Sequence, residues 1–365
     1  MRQKKSLNVD KFMLIAVILS AIYGIVAIYS ATYSYGTLSN VIIQSASFAI
    51  GLGVLFLIMF FDYEQFEVFL KPISAVCIFL LILVLIIGKS GSWGAQSWIR
   101  IGPVGIQPSE FAKIGFVITF SYHLDKVYDK INKPKTLLLL LLHLAIPIGL
   151  IMLQPDAGSA MVFIFMFIVM LFVAGLSFKF IIPAFALGIV SLPLIYNFLL
   201  SPYQKHRILV FLYPEMDKFG SGYNVIQSKI AVGSGGFFGK GYLKGTQNQL
   251  GFLPTKHTDF IFSVISEELG FIGALAVIIL LFAIIIRCFK TATLSQTRYG
   301  KFMCAGVGAM LLFHTFENIG MCIGLMPVTG IPLPFFSYGG SSLITNFIAI
   351  GIVMSVYFHS SRRKF

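Results

Sequence analysis

Charge is what this 365-residue chain has least of: Asp, Glu, Lys and Arg make up 11% of it, hydrophobic residues 57%, and the mean hydropathy is +0.89. A soluble fold of that composition would lack the polar surface needed to stay dispersed, which excludes a water-soluble enzyme and makes lipid the main solvent. Acids are scarcer still, 14 against 27 basic residues. The pI near 9.5 is explained by loops that meet anionic lipid headgroups and points away from a nucleic-acid partner. The four cysteines, Cys77, Cys288, Cys304 and Cys322, sit singly in or beside apolar runs, without the spacing of a disulfide framework or a metal site. P-loop, Rossmann and HExxH patterns are lacking. The glycine-rich Gly233–Gly241 stretch has no strand and helix around it, so a nucleotide site is excluded on sequence.

Long apolar runs are what the chain has in their place. Stretches long enough to cross roughly 30 Å of hydrocarbon fall at 12–31, 41–61, 72–88, 109–124, 136–153, 159–175, 179–200, 260–286, 302–324 and 339–358. The expected fold is all-α: about ten transmembrane helices of about 20 residues each, both termini cytoplasmic, and a large outer loop, 201–258, between the seventh and eighth. Placing the amino terminus inside sends Arg2, Lys4, Lys5, Lys11, Lys71, Lys126, Lys130, Lys133, Lys135, Lys179, Arg287, Lys290, Arg298, Lys301, Arg362, Arg363 and Lys364 to the cytoplasm. The short outer segments keep Lys89, Arg100 and Lys113, the asymmetry the positive-inside rule requires. The first run is too long for a signal-peptide core and reads as a retained span. Residues 1–365 read as a single membrane domain.

The elaborate sequence lies on the outer side. Residues 325–342 hold Pro327, Pro332 and Pro334 with Gly330, Gly339 and Gly340. Such backbone at membrane depth must be packed in protein or line a wet cavity. In the 201–258 loop, Tyr223–Val232 mixes apolar residues with Gln227 and Lys229, the pattern of a short interfacial helix.

Asp259, after His257 and Thr258, is where the loop runs into an apolar helix. A carboxylate there suits a general base, and equally a helix cap. His257 reads as a tuning group, a substitute base or a structural ring. Glu267 and Glu268 lie about two turns deeper, where an ionised group needs an internal partner; Glu268 reads as a structural network and Glu267 as nearer the Asp259 side. Gln107–Lys113 reads as a helix start with Pro108 and Glu110 in the first turn. Lys113 can pair with Glu110 or Asp156, or meet a phosphate. Arg207 suits a diphosphate or a headgroup. Arg100 has the same two readings, and Trp98 that of an interfacial anchor. Glu317 and Asn318 should face the protein interior.

Taken in order, Gln107–Lys113, Gln154–Ala160, Gln227–Gly241, Leu253–Gly270 and the segment ending Ser337-Tyr338-Gly339-Gly340-Ser341-Ser342 resemble the SEDS family (shape, elongation, division and sporulation) over nearly the whole chain. The resemblance implies a peptidoglycan glycosyltransferase that polymerises lipid II at the outer face of the bacterial cytoplasmic membrane, with Asp259 as the essential acid. It implies a substrate site drawing on Lys113, Arg207, Glu110, Asp156, Arg100, Trp98, His257, Ser337 and Tyr338. A class B penicillin-binding protein is the implied partner. Ile319-Gly320-Met321 and Gly330–Pro334 look more like the RodA branch, which serves elongation, than the FtsW branch. No ligand cluster for a metal is legible, although a divalent cation could assist the diphosphate. Many relatives carry basic residues before the loop tryptophan, where this chain has Gln96-Ser97. The alternative from another class is a lipid II flippase, which an inverted repeat would favour; none is visible.

Overall fold

The computed structural model describes residues 9–88, 97–101, 104–200, 202–217 and 220–362. Three helices come first: α1 (Lys11–Thr32), α2 (Ser39–Phe60) and α3 (Leu70–Ile87). A two-stranded antiparallel hairpin follows, β1 (Ile99–Ile101) and β2 (Val104–Ile106), with Arg100 opposite Gly105. Then come α4 (Pro108–Val127), α5 (Pro134–Met152), α6 (Ala157–Val173), α7 (Phe178–Leu194), α8 (Pro202–Leu212), α9 (Ser221–Ser234) and α10 (Thr246–Gln249). Three long helices close the chain: α11 (Ile261–Leu294), α12 (Arg298–Ile323) and α13 (Gly340–Arg362).

The helix ends follow local chemistry. Pro108 and Pro134 open α4 and α5, where a missing N–H costs nothing. Asp156 caps α6 by accepting from the Ser159 amide at 3.0 Å, and Thr297 caps α12 through Gly300 at 3.1 Å. Gly324 ends α12 at φ 76°, a left-handed stop suited to glycine.

Burial is inverted relative to a soluble fold. Helices α12 and α13 are enclosed on nearly every side, with Met303, Val307, Met310, Phe347, Ile350 and Val353 all buried; α12 touches α4, α6, α11 and α13, and α13 lies along α2. The outer helices α3, α5 and α7 turn Phe79, Ile86, Leu138, Leu142, Leu187 and Val190 outward. A ring of exposed apolar side chains around a buried core is what lipid, as solvent, selects.

Seven helices among the described residues are long and apolar enough to cross a membrane. The other three expected spans fall on α4, which carries Glu110, Lys113, Asp125 and Lys126, and on the shorter α6 and α7. The hairpin is an addition to the all-α expectation. Its signal was the alternation of Ile99-Arg100-Ile101 and Val104-Gly105-Ile106 around Gly-Pro.

Helix α11 is broken at Gly270, whose φ of 64° and ψ of −160° interrupt the helical ladder. Residues 236–241 fill the break. The amides of Lys240 and Gly241 donate to the carbonyls of Glu267 and Glu268 at 3.0 Å each, and those of Phe271 and Ile272 donate to Gly236 and Phe237 at 2.9 and 3.4 Å. The freed backbone groups are therefore paired within protein, as the bilayer demands. A Cβ at Gly270 would lie 2.3 Å from the Gly239 nitrogen, so glycine is required for space as well as for φ.

Candidate active site

The bundle has two distinct ends. At one, Arg287 pairs with Asp10 and Arg298 lies 3.6 Å from Asp129. At the other, the α1–α2 turn, the starts of α4, α6 and α11, the end of α12 and the Pro-rich segment before α13 converge. Asp259 lies there.

Its turn is built from main chain. Thr255, at φ 46°, aims its carbonyl at the amides of Thr258, Asp259 and Phe260, 3.1, 3.1 and 3.4 Å away. Phe260 occupies the cap position of α11, so Asp259 sits one residue outside the helix. The Asn318 carboxamide of α12 donates to the Asp259 carbonyl at 2.9 Å and to the Ile331 carbonyl at 2.8 Å, joining the turn to the Pro-rich segment. Ser337 Oγ donates to the Thr258 carbonyl at 2.6 Å and accepts from the Leu333 amide at 2.8 Å; the Tyr338 amide donates to the His257 carbonyl at 2.9 Å. Ser337 and Tyr338, expected to touch substrate, thus brace the turn that carries Asp259. Asp259 is 7% exposed, at the rim of this assembly.

His257 lies between the rings of Tyr35 and Tyr338, with centroids at 5.9 and 5.4 Å. Burial, helped by the neighbouring Lys256 charge, lowers its pKa below the ordinary value. The ring is therefore neutral at physiological pH. Lys256 reaches the other way, donating to Ser34 Oγ at 2.8 Å and to the Asn248 carbonyl at 2.5 Å.

One turn down α12 lies a charged group. Lys113 Nζ donates to Glu110 Oε1 at 2.7 Å and lies 2.8 Å from His314 Nε2, all three side chains buried. An ammonium can only donate, so Nε2 accepts and the ring proton sits on Nδ1. His314 and Asn318 are four residues apart on one face, which sets Lys113 about 6 Å deeper than the Asp259 turn. Glu317 accepts from Thr329 Oγ at 2.9 Å. Asp156, besides its cap, accepts from Gln107 Nε2 at 3.3 Å and Ser159 Oγ at 2.8 Å.

The remaining expected site residues lie further out. Arg207 is half-buried on α8, which rests on α9 and the Pro214–Asp217 turn; α9 reaches α11 and α12. That reach is fixed by Ser228 Oγ, which donates to the Cys322 carbonyl at 2.8 Å and lies 2.7 Å from Ser263 Oγ. Trp98 lies over Gly105 of the hairpin, with Arg100 exposed beside it; β2 packs against α13. Gln96 lies outside the described residues. Sequence reasoning missed His314 and Lys256; a polar residue inside a long buried helix, and a lysine three residues before Asp259, were the available signals.

Glu267 and Glu268 form a separate knot. Glu267 takes Lys240 Nζ at 2.8 Å, Thr246 Oγ at 3.2 Å and the Gln247 and Asn248 amides at 2.9 and 3.1 Å. Glu268 takes Ser30 Oγ at 2.5 Å, the Leu243 amide at 3.2 Å, and the carboxamides of Asn248 and Gln249 at 2.8 and 3.2 Å. Both acids fasten the glycine-rich loop to the bundle.

A family model for FtsW, RodA and SpoVE cell cycle proteins matches residues 10–362. The chain belongs to this family. Peptidoglycan glycosyltransferase MrdB of Escherichia coli K12 is 38% identical over 353 residues, covering 96% of this chain and 94% of its own. A probable peptidoglycan glycosyltransferase FtsW of Trichlorobacter lovleyi is 37% identical over 356 residues, 95% and 92% of the two chains. Among solved structures, one describing structural coordination of polymerization and crosslinking by a peptidoglycan synthase complex superposes with a TM-score of 0.83 at 32% identity, over 97% of this chain and 99% of that one. The rod shape determining protein RodA of Thermus thermophilus gives 0.72 at 29% identity, over 96% and 97%. This FtsW/RodA/SpoVE protein is thus a homologue of peptidoglycan glycosyltransferases, and a multi-pass protein of the cytoplasmic membrane.

Proposed function

We propose that the chain polymerises lipid II into β-1,4-linked glycan at the outer face of the membrane, in cell elongation, with Asp259 as general base. The observation that carries this reading is the Asp259 turn, a buried-rim carboxylate fixed through its main chain by three separate elements. Such positioning is what proton transfer in a transition state needs. In the reaction the acceptor's GlcNAc 4-hydroxyl gives its proton to the Asp259 carboxylate while its oxygen bonds to C1 of the donor sugar. The C1–O bond to the undecaprenyl diphosphate breaks, and the diphosphate leaves with the electron pair. Attack opposite an α-linked leaving group gives the β product.

Cationic stabilisation of the leaving group falls to Arg207, with Arg100 at the hairpin edge of the same end and Trp98 beside it as an interfacial anchor. Lys113 is held by Glu110 and His314, so we assign it a buried positive potential beneath the turn, felt by the developing diphosphate rather than bonded to it. Asp156 and Glu110 shape that floor. Among the described residues no group of three or more His, Cys, Asp or Glu is placed to hold a metal ion.

The topology belongs to the same proposal: ten spans, both termini in the cytoplasm and 201–258 outside. Lys11, Lys126, Lys130 and Arg298 lie at the bundle end opposite Asp259, which supports it. The synthase-complex neighbour supports a crosslinking partner of the class B penicillin-binding type. The test is a purified lipid II assay with wild type and Asp259→Ala. Head-to-tail polymer from wild type alone upholds the reading; headgroup translocation in vesicles without polymer would instead make the chain a flippase.

A further inference from the structure

A cavity system opens at the bundle end opposite Asp259, between α3, α4 and α5. Its mouth, about 810 Å³, is lined by Glu67, Lys71, Tyr122, His123, Lys126 and His143. An apolar trunk of about 340 Å³ leads on between Ile78, Leu81, Ala112, Phe116, Leu142 and Ile146. Mouth and trunk share Ser74, Thr119 and His143. They form one groove with a polar neck.

We propose that this groove binds one anionic glycerophospholipid from the leaflet at the Lys71–Lys126 end. The sequence grades each wall in the same direction. Along one face of α4 run Lys126, Tyr122 and His123, Thr119, Phe116 and Ala112; along α3 run Lys71, Ser74, Ile78 and Leu81. Steps of three and four residues keep each series on one face. Charge, hydroxyl and hydrocarbon follow one another over about 21 Å of α4 at 1.5 Å per residue. That is the order of phosphate, glycerol ester and acyl chain.

The mouth is built for an anion. Lys71 and Lys126 are exposed, and neither makes a carboxylate ion pair among the described residues. Lys126 lies 4.8 Å from the Tyr122 ring centroid. Glu67 is the one acid in the lining, against two lysines. In the neck, His143 lies 3.2 Å from Thr119 Oγ and 3.1 Å from His123. Pro147 in α5 has no N–H to give the His143 carbonyl, which leaves that acceptor without its helical donor. Polar atoms at this depth suit an ester and glycerol group better than hydrocarbon. The trunk's volume of about 340 Å³ is less than one turn of a partner helix about 10–12 Å across with its side chains would occupy, whereas it suits an acyl chain.

The test is lipid retention by the intact purified protein, read by native mass spectrometry after exchange into vesicles of phosphatidylglycerol and phosphatidylcholine. Wild type should keep one phosphatidylglycerol through detergent washing. Lys71→Gln/Lys126→Gln should lower its retention about thirtyfold, each lysine contributing about fivefold attraction. Ile146→Trp, which fills the trunk from an exposed helix face, should lower retention of either lipid. Glycan polymerisation in detergent should persist in all of these variants, which separates this site from the catalytic one. Equal retention of the two lipids by wild type, unchanged retention in the double lysine variant, or preference for undecaprenyl phosphate over phosphatidylglycerol would overturn the proposal.

Discussion

An acidic pair and a single acid stand within three turns of one another at the start of α11, and the bonds described around them differ in kind. At Glu267 and Glu268 the fastening is made to carboxylate oxygens, by a lysine, a threonine, a serine, two carboxamides and three backbone amides. At Asp259 it is made to main-chain atoms, through Thr255, Thr258, Asn318 and Ser337. Removing a side chain from the first cluster removes the structure. At Asp259 these main-chain bonds do not depend on the side chain.

The largest expected effect lies on the chemical side of that contrast. Asp259→Asn should lower the polymerisation rate by about 10²–10⁴-fold, the usual contribution of a general base, while the melting temperature in detergent stays near wild type. A matching loss of thermal stability would erase the distinction. Next, Glu267→Ala strands two backbone amides and Lys240; each stranded buried group costs about 1–3 kcal/mol, so a large fall in melting temperature is expected, with activity per folded molecule largely kept. Ser337→Ala stands between the two, since it cuts a brace without touching the carboxylate. About 1 kcal/mol of local stability should go, and kcat should fall more than KM changes.

The smallest effect concerns His257. Because burial and Lys256 depress its proton affinity in the fold, the unfolded chain binds the proton more readily, and stability is lost as pH falls below the ordinary value near 6.5. His257→Phe keeps a ring between Tyr35 and Tyr338 and removes the titration. The acid limb of the melting curve should flatten below that pH; an unchanged limb would show that the ring's protonation is uncoupled from folding.

The helices were legible because lipid imposes a length and a composition on each one. Asp259 stood out through the resemblance, since Asp156 and Glu110 also lie at loop–helix junctions, and the Pro-rich segment because its backbone had to be packed. What the apolar runs hide is which polar residues find each other. Lys240, Thr246 and Asn248 meet Glu267 from across a loop with no period to betray them. His314 lies in the interior of a helix whose sequence shows only that it is buried. The resemblance brought Ser337 and Tyr338 into view as substrate contacts; the Ser337 hydroxyl and the Tyr338 amide also hold the Thr258 and His257 carbonyls, which no sequence pattern announced. The hairpin at Ile99–Ile106 carried a readable alternation that is easily passed over beside runs of 20 apolar residues.

The interrupted helix at Gly270 bears on how the protein is made. Residues 236–241 emerge from the ribosome before the second half of α11, yet each supplies the hydrogen bonds the other lacks. Neither can rest in hydrocarbon alone, so the glycine-rich segment and the helix that follows must enter the bilayer as one unit. A translocation step that separated them would strand four N–H donors and four carbonyls in lipid.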